Sequence, residues 1–230
     1  RIYYGTTSKS SSGPRENKML ALPVKERFQY VAGVVDMVVH GHAPSAMITG
    51  VAGIGKTYMV LDRFKRAKKK MGNQFHLVKG HATPMGLYRY LYEHCDATIV
   101  FDDCDDVFKE LQAINILKSA LDSYDKRIVH WLSERMPGDL ETSFEFTGQI
   151  IFVSNIDADR IEDAIKSRTL LIDLQMSRKE IIEYMREIIK VILPEVSIAH
   201  KNEVIDFLDD TKDSFDHFNL RTLIKIGRIR

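Results

Sequence analysis

Short apolar runs alternate with longer amphipathic stretches along most of the chain. The runs at residues 97–101 and 149–153 show no alternation of polar and apolar positions, which is typical of strands buried on both faces of a sheet. The stretches between the runs carry apolar residues at helical spacing, which predicts amphipathic helices. Strands that alternate with helices predict an α/β fold, with a parallel five-stranded sheet sandwiched by helices. The predicted strands are residues 46–49, 75–79, 97–101, 149–153 and 170–174, and the predicted helices are residues 25–40, 56–70, 84–94, 107–123 and 160–167.

The pattern changes after Gln175, where the strands stop and only helical spacing continues. Ser177 and Glu180 have the spacing of a capping box, which predicts the start of a helix that runs to Ile192 and is ended by Pro194. Further helices are predicted at residues 201–209 and 219–229. The expected division is a flexible N-terminal tail at residues 1–24, an α/β domain at residues 25–176 and a small C-terminal helical lid at residues 177–230.

The overall charge is nearly balanced, with 33 basic and 32 acidic residues among 230 and a net charge of +1. This balance gives no general electrostatic attraction to nucleic acid. A local basic cluster could contact a polyanion, although a solvated helix end is the simpler interpretation. A hydrophobic fraction of 44% suffices for one good-sized domain with a small appendage. The basic cluster comprises Arg63, Lys65, Arg66, Lys68, Lys69 and Lys70.

The two cysteines, Cys95 and Cys104, form no CxxC motif. Neither a structural zinc site nor a disulfide framework is favoured, and we expect a reducing compartment. No apolar run has the length needed to span a bilayer. We therefore expect no membrane partner and a cytoplasmic location, which is the host cytoplasm if the protein is viral. Because the chain begins with Arg1 rather than Met, the native chain could be longer.

The most specific motif is GVAGIGKT, at residues 50–57, which matches G-x-x-x-x-G-K-[ST] between a predicted strand and a predicted helix. Its glycines let backbone N–H groups curl around an anion, and the next helix adds its positive N-terminal end. We expect Lys56 to contact the β- and γ-phosphates of a nucleoside triphosphate and the Thr57 hydroxyl to bind Mg²⁺. The alternative is a glycine-rich turn that binds nothing, which the flanking elements disfavour. The candidate nucleotide-binding residues are Gly50, Val51, Ala52, Gly53, Ile54, Gly55, Lys56, Thr57 and Tyr58.

Two aspartates and an asparagine stand where buried strands are predicted to end. Asp102 and Asp103 close one apolar run, and Asn155 closely follows another. In open α/β sheets, ligands bind at the carboxyl edge of the strands. Asp102 is therefore a candidate Mg²⁺ ligand, direct or through water, while Asp103 is suited to orient and deprotonate an attacking water. Asn155 could reach that water or the γ-phosphate. The alternatives are a solvated acidic loop for the aspartates and a turn-forming role for Asn155.

Together these motifs make residues 25–230 resemble an AAA+ ATPase. GVAGIGKT resembles the Walker A motif, IVFDD the Walker B motif, and Asn155 the residue called sensor 1. DAIKSR resembles the segment of the arginine finger, with Arg168 as the finger, and FNLRT resembles the sensor 2 segment, with Arg221 as the sensor. The resemblance implies ATP and Mg²⁺ as ligands, and a homo-oligomer, most often a hexameric ring, because the finger acts in a neighbour's site. The implied catalytic residues are Lys56, Asp103, Asn155, Arg168 and Arg221.

Three features depart from the family pattern. Asp103 stands where most members have the longer Glu, so turnover is expected to be slow. Residues 80–96 leave little chain for the usual aromatic pore loop, which argues against protein unfolding. Residues 126–146 are long for a simple connection and predict two short strands around Pro137 and Gly138.

The insertion at residues 126–146 contains Arg127, His130, Trp131 and Arg135. It resembles the hairpin of a clade that includes viral helicases and DNA-remodelling ATPases, although a hairpin that only packs is the alternative. We therefore expect an ATPase that remodels, loads or translocates a macromolecule, with DNA or RNA favoured and a phage or mobile-element type. The alternatives are a chaperone that acts on a protein partner, and a slowly hydrolysing switch that assembles with ATP.

Overall fold

A computed structural model describes residues 21–123, 125–131 and 140–229 of the chain. Within these ranges, five strands form one parallel sheet in the order β2-β3-β6-β1-β7, and two more pair as an antiparallel hairpin. The strands are β1 (Ser45–Gly50), β2 (Phe75–Lys79), β3 (Thr98–Asp102), β4 (Ile128–His130), β5 (Ser143–Glu145), β6 (Gln149–Val153) and β7 (Leu170–Leu174).

Helices cover both faces of the sheet. The helices are α1 (Val24–Val39), α2 (Lys56–Arg66), α3 (Pro84–Glu93), α4 (Leu111–Ala120), α5 (Asp163–Lys166), α6 (Arg178–Glu187), α7 (Ile198–Thr211) and α8 (Leu220–Gly227). One apolar core joins the sheet to α1, α2 and the lid helices α6–α8, and a second joins it to α3, α4 and α5. The predicted α/β class, with a parallel five-stranded sheet and a small helical lid, is therefore confirmed. The domain boundary at residue 176 stays a prediction.

The register of the sheet brings several strand ends to one edge. Asp102, at the end of β3, lies opposite Val153, at the end of β6. Val153 in turn lies opposite Ile48 of β1, whose last residue, Gly50, pairs with Leu174 of β7. The loops that leave β1, β3 and β6 therefore start side by side, as the rule for parallel sheets requires.

A buried arginine connects the first helix to the lid. Arg27 is 3% exposed, donates to the Gln175 carbonyl oxygen over 3.0 Å, and pairs with the carboxylate of Glu180. Glu180 also completes the predicted capping box with Ser177 at the start of α6. Because a charged hydrogen bond in a buried place is costly to break, α1 and α6 are held together beside the sheet.

Several helices differ from their predicted bounds. The single helix predicted at residues 107–123 is divided into a 3₁₀ turn, Asp105–Phe108, and α4, whose first residue, Leu111, is 69% exposed. The helix predicted to run from 56 to 70 ends at Arg66, because Lys68 adopts a left-handed φ of 55°. The helices predicted at residues 160–167 and 219–229, and the one expected to reach Ile192, are also shorter, whereas α7 is longer than predicted.

The predicted hairpin is present where the chain is described. β4 and β5 pair antiparallel, and the hairpin packs on α3 through Tyr88, whose hydroxyl donates to the Glu141 carbonyl oxygen over 2.7 Å. The ring centroids of Tyr88 and Trp131 lie 5.6 Å apart. Arg135, Pro137 and Gly138 lie outside the described residues, as do residues 1–20 of the predicted tail. No helix in the described ranges combines the length and apolar character needed to cross a membrane.

Candidate active site

The loop between β1 and α2 is shaped by three glycines with left-handed backbones. Gly50, Gly53 and Gly55 have φ values of 124°, 74° and 94°. At Gly50 a Cβ atom would also lie 2.2 Å from the Leu174 carbonyl oxygen, so a side chain is excluded by space as well as by conformation. Gly55 caps α2 without a side-chain acceptor, which leaves the first backbone N–H groups of the helix available to an anion.

The side chain of Lys56, the first residue of α2, contacts this loop. It is 5% exposed, and its Nζ atom donates to the carbonyl oxygens of Gly50 and Val51 and to Oδ1 of Asn155, each over 2.8 Å. Asn155 Nδ2 donates in turn to Oδ1 of Asp103 over 2.6 Å. The predicted residues of three separate motifs are thus joined in one hydrogen-bonded chain.

A second pair brings together the two predicted magnesium ligands. Thr57 Oγ1 donates to Asp102 Oδ1 over 2.7 Å, and Asp102 is 4% exposed. Mg²⁺ in nucleotide sites usually takes one or two protein oxygens together with phosphate oxygens and water. A hydroxyl and a carboxylate at this distance fit that requirement, because they lie beside residues 50–57, the candidate phosphate-binding loop.

Asp103 has a strained backbone and a perturbed carboxyl. Its φ is 55°, a left-handed value that Asp tolerates better than most residues, and its N–H donates to the Val153 carbonyl oxygen over 2.9 Å. Burial raises the pKa of the Asp103 carboxyl, and the nearby charges of Asp102 and Asp105 raise it further. A raised pKa makes this carboxylate a stronger base than an ordinary aspartate.

The lid contacts the phosphate-binding loop directly. Leu220, the first residue of α8, donates its N–H to the Gly53 carbonyl oxygen over 3.1 Å. A Cβ atom on Gly53 would lie 2.7 Å from Cγ of Asn219, the residue that caps α8. Arg221 follows in the same turn, and its charge lowers the pKa values of both Lys56 and Asp103. The structure therefore brings Arg221 to the site.

Arg168 is the one predicted catalytic residue that the fold of a single chain holds away from the site. Its backbone oxygen accepts a hydrogen bond from Ser45 Oγ over 3.0 Å, at the amino end of β1, whereas the phosphate-binding loop leaves the carboxyl end. Its guanidinium donates to the Ala164 carbonyl oxygen over 2.9 Å. Arg168 therefore lies at the edge of the sheet opposite the loop between β1 and α2 of its own chain.

A cleft of about 910 Å³ runs from the phosphate-binding loop to a pocket between α1 and α6. Its volume is in the range of ligand pockets. Phe28 and Tyr184 line it and stack with ring centroids 4.2 Å apart and an angle of 8° between their planes. Burial raises the pKa of Tyr184 to about 12. Sequence reasoning missed this pair, because both residues belong to apolar stripes that look like ordinary core positions.

Only some of the nine predicted nucleotide-binding residues line the cleft. Gly53, Gly55, Lys56, Thr57 and Tyr58 line the cleft. Ile54 is fully buried in the core and does not line the cleft. Gly50, Val51 and Ala52 belong to the loop but are not part of the cleft wall; two of their carbonyl oxygens hold Lys56.

Two solved structures resemble this chain in fold. Domain III of the replication initiation protein DnaA from Thermotoga maritima matches with a TM-score of 0.53 and 14% identity, over 86% of this chain and 79% of that one. The chain therefore shares the fold of that domain, an α/β fold built on a parallel five-stranded sheet. A RuvB variant from Thermotoga maritima matches with a TM-score of 0.47 and 14% identity, over 88% of this chain and 66% of that one, and adds nothing to the assignment.

Sequence comparison gives a relative in a bacteriophage. An uncharacterized 36.7 kDa protein from the nrdC-mobD intergenic region of Enterobacteria phage T4 is 30% identical over 188 residues. The match covers 74% of this chain and 56% of the relative, so this chain spans little more than half of that protein's length. No protein-family model matches the chain.

The pKa of Lys56 leads to a prediction about pH. Burial lowers it from 10.5 to about 8, although Asp103 and Asp102 oppose the shift. As pH rises through 8, Lys56 loses its charge, so ADP affinity measured without divalent metal should fall, by at most about tenfold per pH unit. The stability of the protein without ligand changes in the opposite direction. Lys56 makes the free energy of unfolding increase as pH rises from about 8 to 10.5, because the unfolded chain holds the proton more tightly in that range.

Calorimetry between pH 7.5 and 9.5, in buffers with different ionisation enthalpies, would measure the affinity and the proton uptake together. The control is Lys56→Arg, which keeps a cation that does not titrate in this range and should lack the slope. A wild-type affinity that stays constant with pH, or an equal slope in Lys56→Arg, would contradict the assignment to Lys56.

Proposed function

We propose that this protein is an ATPase that binds Mg²⁺-ATP in the cleft and hydrolyses it by in-line attack of water on the γ-phosphate. The observation that carries the proposal is the hydrogen-bonded chain from Lys56 through Asn155 to Asp103, adjacent to the Thr57–Asp102 pair. It brings a phosphate-binding cation, an amide and a base together within one cleft. The fold shared with domain III of DnaA and the motifs that resemble those of AAA+ ATPases support the same activity.

Each residue has a role that its position allows. Backbone N–H groups of the loop and Lys56 hold the phosphates, while Asp103 and Asn155 orient the attacking water and Asp103 accepts its proton. Thr57 and Asp102 hold Mg²⁺, which supplies positive charge to the phosphate oxygens. Arg221 adds charge from the lid. The stacked pair Phe28 and Tyr184 provides an apolar surface for the adenine base.

Hydrolysis is completed between subunits in this proposal. Arg168 lies at the edge of the sheet opposite its own phosphate-binding loop. In a homo-oligomer, with a hexameric ring as the favoured form, it would enter the site of the adjacent subunit and stabilise the charge of the transition state.

We further propose that hydrolysis drives remodelling, loading or translocation of a nucleic acid. The relative in phage T4 and the fold shared with a replication initiation protein support this choice. Two arginines of the basic cluster are already paired, Arg63 with Asp36 and Arg66 with Asp62. Three of its lysines are exposed and available to a polyanion: Lys65, Lys68 and Lys70.

A chaperone role with a protein partner is the second candidate function. A slowly hydrolysing assembly switch is the third, and the short side chain of Asp103 suggests it.

Phosphate release from Mg²⁺-ATP, measured with and without DNA or RNA at low and moderate salt, tests these functions. Stimulation by nucleic acid that weakens with salt would support the first function. An ATPase that neither binds nor responds to nucleic acid at low salt would exclude it, and stimulation by a protein would support the chaperone. ATP-dependent assembly with negligible phosphate release would support the switch.

A further inference from the structure

A lysine outside the predicted motifs contacts the candidate metal ligand. Lys79, the last residue of β2, lies directly opposite Asp102, the last residue of β3, in the register of the sheet. Lys79 Nζ is 2.9 Å from Asp102 Oδ2, while Asp102 Oδ1 accepts the hydroxyl of Thr57 over 2.7 Å. Both oxygens of this carboxylate are therefore engaged, one of them by a full positive charge.

The two partners of this ion pair differ strongly in exposure. The side chain of Lys79 is 61% exposed, whereas that of Asp102 is 6% exposed. A long, exposed lysine can leave the pair for solvent at little cost. The carboxylate cannot move in the same way, because it is buried and also bonded to Thr57 on the first turn of α2.

An ammonium group and a divalent cation compete for the same carboxylate. Carboxylate oxygens are preferred ligands of Mg²⁺, and two cations that share one carboxylate repel each other. The neighbouring acids, Asp103 and Asp105, make a local excess of negative charge that attracts either cation. The Lys79 ammonium group and a divalent cation therefore compete for Asp102, and their relative affinities decide which of them occupies it.

We propose that Lys79 competes with the divalent cation for Asp102 and thereby sets the metal affinity of the site. The inference rests on the proposed function, since it assumes that a nucleotide and its metal bind here. Lys79 acts through Asp102 in this view: its ammonium group occupies one oxygen of the carboxylate and withdraws when the metal binds. Its removal should therefore tighten metal binding, whereas the loss of a metal-supporting residue would weaken it.

The test measures metal binding directly and needs no hydrolysis. Free Mn²⁺ is titrated by electron paramagnetic resonance in the presence of saturating ADP, for the wild type and for Lys79→Met. We expect the variant to bind Mn²⁺ about three- to tenfold more tightly, as suits the removal of one partly exposed competing charge. Lys79→Arg, which retains the cation, should remain close to the wild type.

Another exposed lysine provides a matched control. Lys109 is 66% exposed and pairs with Asp106 over 2.8 Å rather than with Asp102. Lys109→Met removes an equal charge and should leave Mn²⁺ affinity unchanged. Equal or weaker Mn²⁺ binding by Lys79→Met, with ADP binding intact, would overturn this inference alone. Absence of ADP binding by the wild type would overturn the proposed function and this inference with it.

Discussion

Replacing Lys56 with methionine should lower the affinity for ATP by about 100-fold or more and abolish hydrolysis. The side chain is 5% exposed, and its Nζ atom donates hydrogen bonds to the carbonyl oxygens of Gly50 and Val51 and to Oδ1 of Asn155. Charge-assisted hydrogen bonds to two phosphates together contribute about 3 kcal/mol or more, which corresponds to this loss of affinity. Methionine has similar length, so the change removes the charge without opening a large cavity.

Fluorescence titration with a labelled ATP analogue measures the loss, and thermal unfolding establishes that the variant is folded. Lys65→Met is the matched control, because Lys65 lies on the same helix, α2, and is exposed. It should bind ATP like the wild type. If a folded Lys56→Met variant keeps its ATP affinity, the cleft is not a nucleotide site of the proposed kind.

Much of the fold and the centre of the site could be predicted because they depend on local patterns. The strands were recognisable as short, mostly apolar runs, and β2, β6 and β7 have the predicted bounds. Parallel strands share a carboxyl edge, so Asp102 and Asn155 were expected at one edge, where the structure has them. GVAGIGKT required only its own spacing and its two flanking elements.

The remainder depends on contacts between distant parts of the chain. Phe28 and Tyr184 are far apart in sequence, and nothing in either stripe distinguishes a cleft wall from a core. The ion pair of Lys79 with Asp102 depends on the register of two strands, which apolar runs do not specify. The end of α2 follows from the left-handed backbone at Lys68, a residue with no turn signal of its own.

Replacing Arg168 with alanine should leave ATP binding unchanged and reduce hydrolysis by about 100-fold or more, in line with the contribution of arginine fingers. The reason is its position. Its backbone is fixed to Ser45 at the amino end of β1, and its side chain is bonded to the Ala164 carbonyl oxygen. It therefore cannot serve the cleft of its own chain without a large rearrangement, and its loss should not disturb ATP binding there.

Arg160→Ala is the matched control. Arg160 lies in the same connection, is 75% exposed in its side chain, and has an ion pair with Asp157 at 3.7 Å. It should turn over ATP like the wild type, and higher concentration should not rescue Arg168→Ala. If Arg168→Ala is fully active instead, Arg160 becomes the better candidate for the finger.

Mixing two inactive variants distinguishes a finger that acts on a neighbour from one that acts within its own chain. An Arg168→Ala subunit keeps an intact phosphate-binding loop, and a Lys56→Met subunit keeps an intact finger. When the two variants exchange into one oligomer, some interfaces join Arg168 of a Lys56→Met subunit to the intact loop of an Arg168→Ala subunit. Such an interface has every catalytic residue. Equimolar mixtures should therefore recover hydrolysis that neither variant shows alone. Subunit exchange without recovery would mean that Arg168 does not act across the interface.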